Sequence, residues 1–211
     1  MSFVRSKIKN EIVGVGVTDT PEGLAQIEMP QCAATIWRRQ LGSEFRAWID
    51  ALDPPKLPKG RLVLRPDSVA DAVRHLCDIA GMEETPERNW LEHDIAHLAE
   101  RFSGIMRSPY LRLRLDPIST NACRKFHIDA IHARLICTYR GTGTQYGISR
   151  GDQDPQRVFT LATGAPMIMR GTLWPQDPPS GLLHRSPPIA GSGETRLVLV
   201  LDPIFDLDEA D

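Results

Sequence analysis

The chain has 211 residues, 41% hydrophobic and 25% charged, with a formal net charge of −2. That length is enough to bury a substantial core, and the near-neutral balance argues against general nucleic-acid binding, which needs a large surplus of Lys and Arg to displace counterions. No apolar run approaches a membrane span, Met1–Asn10 is polar, and Cys32, Cys77, Cys123 and Cys137 are scattered without a CxxC pair. These features predict a cytoplasmic protein with free thiols and no membrane partner.

Along the chain, Ile12–Val17 reads as a short strand, and Pro21, Gly23 and Pro30 punctuate the weakly patterned segment after it. From Cys32 to Leu52 the residues Ile36, Trp37, Leu41, Phe45, Trp48, Ile49 and Leu52 recur at helical spacing, which predicts one amphipathic helix ended by Asp53-Pro54-Pro55. A short apolar stretch, Arg61–Leu64, precedes two further helices. The first is capped at Asp67 and stops at Gly81; the second starts with Thr85-Pro86-Glu87 and runs to about Met106.

After Pro109 the apolar runs shorten to strand length. Candidate strands fall at 110–116, 122–128, 133–139, 144–148, 156–161, 165–170, 181–185 and 195–202. Eight short strands in about a hundred residues is the content of a jelly roll. The expectation is therefore an α+β fold: a jelly-roll (cupin-like) barrel in residues 108–204, with the N-terminal helices packed outside it. The chain then divides into two regions, 1–107 and 108–211, the second ending in the acidic tail Asp206–Asp211.

Chemistry concentrates in His127-Ile128-Asp129, His184 and Arg196. Residues two apart on a strand project to one face, so His127 and Asp129 can aim an imidazole and a carboxylate at one point. Two imidazoles and one carboxylate on one face of a metal leave the opposite face open, as non-haem Fe(II) requires when it binds a cosubstrate and O₂ together. With six histidines and 27 acids in the chain, one HxD/E pair is expected by chance, so the weight lies in order and strand context. Each residue also has a blander role open to it. His127 could be a core histidine satisfied by Asp129, His184 a surface-loop residue, and Arg196 a partner of Glu194 or Asp202. From Arg101 to Arg140 eight basic residues face only Asp116 and Asp129, which is either a set of solvated strand faces or a mouth that attracts an anionic substrate.

The stretch CRKFHIDAIHARLICTYRGTGTQY, followed by GAPMIMRGTLWPQDPPSGLLHRSPPIAGSGETRLVLVLD, resembles the double-stranded β-helix core of Fe(II)/2-oxoglutarate-dependent oxygenases. The whole chain is also similar to an uncharacterised family of bacterial proteins of unknown function. The resemblance implies His127, Asp129 and His184 as catalytic metal ligands for Fe(II), a site that Zn or Ni can also fill. It implies Arg196 as the anchor of the cosubstrate 2-oxoglutarate, with Tyr139 or Thr138 adding a hydrogen bond. A small-molecule or peptide substrate is expected. The alternative is a cupin-like metal-binding protein without oxygenase activity.

One competing motif is His93-Asp94-Ile95-Ala96-His97, with the two-histidine spacing of a zinc-protease helix. Asp94 is one methylene shorter than the glutamate such a helix needs. His93 and His97 also lie roughly opposite the stripe of Leu91, Ile95, Leu98 and Phe102, which places them toward solvent.

Overall fold

The computed structural model describes residues 2–4, 7–8, 11–149, 153–175 and 179–209; the end of the acidic tail, residues 210–211, lies outside them. Strands β1 (Ser2–Val4), β2 (Lys7–Ile8), β3 (Glu11–Ile12), β4 (Gly14–Thr18) and β5 (Cys32–Trp37) come first. Helix α1 (Ser43–Ala51), strand β6 (Gly60–Leu64) and helices α2 (Val69–Ile79) and α3 (Pro86–Met106) come next. The remaining strands are β7 (Tyr110–Ile118), β8 (Ala133–Arg140), β9 (Gln145–Ile148), β10 (Phe159–Thr160), β11 (Met167–Arg170), β12 (Leu182–Arg185) and β13 (Arg196–Ile204).

Local chemistry sets the helix ends. Thr85 caps α3 by accepting a hydrogen bond from the Arg88 amide at 3.2 Å, with Pro86 in the first turn and Glu87 near the positive end of the helix dipole. Past α2, Gly81 takes the left-handed backbone (φ +68°) that a side chain disfavours.

The strands form an eight-stranded sheet in the order β1-β4-β5-β11-β8-β13-β7-β6, a three-stranded sheet in the order β10-β9-β12, and the β2-β3 hairpin. Among the described residues only β4 and β5 pair in parallel; the other pairs are antiparallel. The expected jelly-roll, double-stranded β-helix barrel is therefore not the fold. The large sheet ends in the separate edges β1 and β6, and neither sheet closes on itself. Two causes are visible. Residues 122–128 do not form a strand and contribute a single isolated bridge, His127 to His184. The N-terminal part supplies β1, β4, β5 and β6 to the flanks of the large sheet rather than helices alone.

The single helix expected over 32–52 is also corrected: Cys32–Trp37 is strand β5, and the helix begins at Ser43. In β5 the five residues from Cys32 to Ile36 are all buried. A strand covered on both faces loses the alternation that separates strand from helix.

The large sheet packs two cores. On one face Leu111, Leu113, Leu115, Leu135, Leu197, Leu199 and Leu201 meet helix residues such as Leu91, Ile95, Leu98 and Phe102. On the other, Ile136, Met167, Met169, Val198 and Val200 meet Leu182 and Tyr146 of the small sheet. The period of two along β13 thus sends its leucines to the helices and its even-numbered residues toward the small sheet. Phe102 is fully buried in the helix-side core. Phe102→Ala should therefore lower stability by about 3–5 kcal/mol, read as a lower urea midpoint with an unchanged slope.

Candidate metal centre

Three segments meet between the sheets. His184 sits in β12, whose neighbour is β9. His127 lies in the irregular segment before β8 and exchanges two backbone hydrogen bonds with His184: His127 N to His184 O at 3.1 Å, and His184 N to His127 O at 3.0 Å. Asp129 comes next, on a stretch tied to the turn after β11. Thr172 N donates to Asp129 O and Gly171 N to His132 O, both at 2.9 Å. A Cβ at Gly171 would collide with the Ile131 and Asp129 carbonyls, so only glycine lets these two backbones approach so closely.

The side chains converge. Ligating atoms of His127, Asp129 and His184 all lie within 4.8 Å of one another, and among the described residues this is the one group of His, Cys, Asp or Glu so arranged. His184 Nε2 is 3.1 Å from Asp129 Oδ2, and His127 Nε2 is 3.6 Å from Asp129 Oδ1. Adjacent ligands at about 2.1 Å from an octahedral ion stand roughly 3.0 Å apart, so the spacing suits a shared cation. His127 Nδ1 lies 2.9 Å from the Lys125 carbonyl. Donation there places the proton on Nδ1 and leaves the Nε2 lone pair free to ligate. Asp129 Oδ2 is buried and lies against two cationic or metal-binding groups, Arg134 Nη1 at 2.7 Å and His184 Nε2 at 3.1 Å. The donor set, two imidazoles and one carboxylate, suits Fe(II) and equally Zn or Ni.

Electrostatics keep the ligands in their binding forms. Burial works to raise the Asp129 carboxyl, but His184 and Arg134 outweigh it and bring its pKa down to about 2. Burial also lowers the His184 pKa despite the opposing pull of Asp129, so its ring is neutral at neutral pH. Arg134 bridges two carboxylates. Its Nη1 is 2.7 Å from Asp129 Oδ2, and its Nε and Nη2 donate to Asp202 at 2.7 and 2.8 Å.

A cavity of about 330 Å³ opens beside the triad, lined by His127, His184, Arg134, Thr144, Arg196 and Val198 among others. Arg196 is 1% exposed. Its Nε donates to Thr142 O at 2.5 Å, and its Nη2 to Thr138 Oγ1 at 3.3 Å and Thr144 Oγ1 at 3.4 Å. Neither expected acid neutralises it. Glu194 accepts instead from Thr142 N and Oγ1, and Asp202 is taken by Arg134. Burial lowers the Arg196 pKa to about 10, with the Glu194 charge opposing, so the guanidinium stays charged.

Thr138 is thus beside Arg196, while Tyr139 is not. Tyr139 has the opposite parity on β8, points to the helix side, and donates its hydroxyl to Asp94 Oδ2 at 2.6 Å. The same Asp94 carboxylate receives Arg39 Nη2 at 2.7 Å, which removes it from any zinc chemistry with His93 and His97. His93 Nδ1 instead meets Asn89 O at 2.7 Å. Sequence reasoning does not single out Arg134, Thr142 or Thr144. Arg134 shares its strand parity with Ile136 and Thr138, and a charged residue at an inward parity is the available signal. The Gly141–Thr144 segment is a turn, as the lack of a helix after it suggests, and its Thr142 carbonyl holds Arg196.

A family model described as "Protein of unknown function (DUF1826)" matches residues 18–202. No curated protein matches the chain. Among solved structures, the chain is distantly similar to dioxygenase for auxin oxidation 1 from Arabidopsis thaliana in its 2-oxoglutarate complex, at 12% identity and TM-score 0.46 over 92% of this chain and 93% of that one. It is also similar to a 2OG-Fe(II) oxygenase-family oxidoreductase from Burkholderia pseudomallei (14% identity, TM-score 0.44, 87% and 90% of the two chains). A third likeness is to a Pseudomonas putida prolyl-4-hydroxylase (9%, 0.47, 89% and 96%).

The orientation of Tyr139 makes a direct prediction. Tyr139→Phe should cost about 1.5–3 kcal/mol of stability, the value of a hydrogen bond to a charged group, measured by urea unfolding. Metal affinity, measured by isothermal titration with Zn(II), should be unchanged.

Proposed function

The chain belongs to the DUF1826 family of proteins of unknown function, and we propose that it is a non-haem Fe(II)- and 2-oxoglutarate-dependent oxygenase. The observation that carries this reading is the meeting of a two-histidine, one-carboxylate triad with a buried arginine that has no carboxylate partner among the described residues, in one cavity. An unpaired buried charge costs several kcal/mol of solvation, and this one lines a cavity with room for a ligand anion.

His127, Asp129 and His184 hold the metal on one side. When bound, Fe(II) supplies the redox chemistry that couples O₂ reduction and decarboxylation of 2-oxoglutarate to oxidation of a substrate C–H bond. Arg196 pairs with the cosubstrate's distal carboxylate, and the Thr138 and Thr144 hydroxyls fix the plane of its guanidinium. Arg134 holds the Asp129 carboxylate ionised and in place. Ile136, Val198 and Val200 form an apolar wall of the cavity.

Anaerobic reconstitution with Fe(II) and then 2-oxoglutarate titration, read by absorbance, tests the reading, as does iron-dependent release of succinate. Arg196→Leu should raise the 2-oxoglutarate dissociation constant roughly 30-fold or more and leave metal affinity nearly unchanged. His127→Ala should abolish metal binding. Equal 2-oxoglutarate binding by wild type and Arg196→Leu removes the anchor. No 2-oxoglutarate binding by the iron-loaded wild type leaves a metal-binding protein without oxygenase activity.

A further inference from the structure

We propose that the β6–β7 end of the cavity binds the anionic group of the substrate, a carboxylate or phosphate on a small organic molecule, between Arg61 and Arg114. The proposal rests on the oxygenase reading only for the reaction at the other end.

Register brings the two arginines together. On β7 Leu111, Leu113 and Leu115 face the helices, so Arg114 and Asp116 face the cavity side. Arg61 of β6 is the direct cross-strand partner of Arg114, and Arg114 in turn sits opposite Val200 of β13. Like charges directly opposite on an antiparallel pair repel. Among the described residues neither guanidinium makes a hydrogen bond or an ion pair. The nearby acid, Asp116, is turned to Lys59 at 3.9 Å. Lys59, Arg61 and Arg114 against Asp116 leave two positive charges uncompensated.

Position argues for a ligand rather than a solvated face. Arg114 is half-buried and lines the cavity together with Lys59, the Ser119 and Thr120 segment, and the metal-side His127 and His184. Arg61 is exposed and lies directly across the ladder from Arg114 on the neighbouring edge strand. An anion seated there relieves the repulsion and restores the solvation Arg114 loses by burial. Arg196 is a separate site. It sits opposite Ile118, four positions along β7 from Arg114, so the two lie roughly 13 Å apart along the strand. A cosubstrate at Arg196 and a substrate at Arg114 can therefore occupy the cavity together. Its volume of about 330 Å³ matches the small-molecule range, and the chain's net charge of −2 does not suit a polyanion.

The test is equilibrium dialysis of the full-length, Zn(II)-loaded protein against labelled inorganic phosphate and, separately, labelled acetate, with wild type, Arg61→Gln, Arg61→Gln/Arg114→Gln and Arg196→Leu. Wild type should bind at least one of the two anions, and whichever binds more tightly identifies the group as phosphate or carboxylate. The exposed Arg61→Gln alone should weaken it severalfold, and the double variant tenfold or more. Arg196→Leu should retain the fraction of anion binding that the Arg61→Gln/Arg114→Gln variant loses. Undiminished binding by both Arg61 variants, or no binding of either anion by wild type, overturns the proposal. Much tighter binding of a short oligonucleotide, lost in the same variants, overturns the small-molecule assignment. A 2-oxoglutarate titration in parallel keeps the two readings apart. Loss of 2-oxoglutarate binding in every protein, wild type included, with phosphate or acetate binding intact, fails the oxygenase reading alone.

Discussion

Strand β13 is buried along its whole length, so every residue must satisfy one of two unlike faces. Its odd positions, Leu197, Leu199 and Leu201, complete the core under the helices. Its even positions are Arg196 at one end, Val198 and Val200 in the middle, then Asp202 and Ile204. A shift of one residue in pairing would put a guanidinium and a carboxylate among leucines and expose the apolar stripe to the cavity. The long ladder to β7, nine partners from Arg196–Ile118 to Ile204–Tyr110, holds the register against that shift. The helix core and the site are therefore specified by the same strand.

Three arginines held largely out of water show how differently a protein can place the same charge. Arg170 meets neutral groups, its Nη2 donating to the Ile27 and Met29 carbonyls at 2.8 Å, with Trp174 at 4.5 Å from its guanidinium. It closes the end of the 3₁₀ segment Pro21–Glu28 and has an architectural role. Arg134 is neutralised by Asp129 and Asp202, so its charge is spent on holding a carboxylate. Among the described residues Arg196 has a carbonyl and two hydroxyls as partners, and it lines the cavity. Partners rather than depth of burial set Arg134 apart from the other two, and the ligand role proposed for Arg196 rests on its place in the cavity.

Much of the site was legible in the sequence, and much of the fold was not. His127, Asp129, His184 and Arg196 could be picked out because their side-chain chemistry and strand spacing are local properties. The end of α2 and the bounds of α3 were legible for the same reason, through Gly81 and Thr85-Pro86, whereas the expected cap Asp67 lies in a 3₁₀ turn and α2 starts after Ser68. Sheet closure is a non-local property: nothing in residues 122–128 reveals that they form only one bridge, and nothing in Cys32–Trp37 reveals that it pairs with β4 and β11. Tyr139 could have been placed correctly by strand parity alone. It differs by one residue from Thr138, which shares the face of Arg196, and adjacent strand residues cannot both face the cavity.

The reciprocal backbone pair between His127 and His184 has a consequence for the metal itself. Two of the three ligands are locked at a fixed mutual distance by hydrogen bonds that need no ion. Binding therefore need not organise these two segments, and little ordering entropy is set against the ligand bonds. Small metallo-domains that are unfolded without their ion behave oppositely, since there affinity and folding are one quantity. In this protein the two are separable. A cation can leave, exchange for another, or arrive only after synthesis, while the β12–His127 contact keeps both imidazoles in register for the next one.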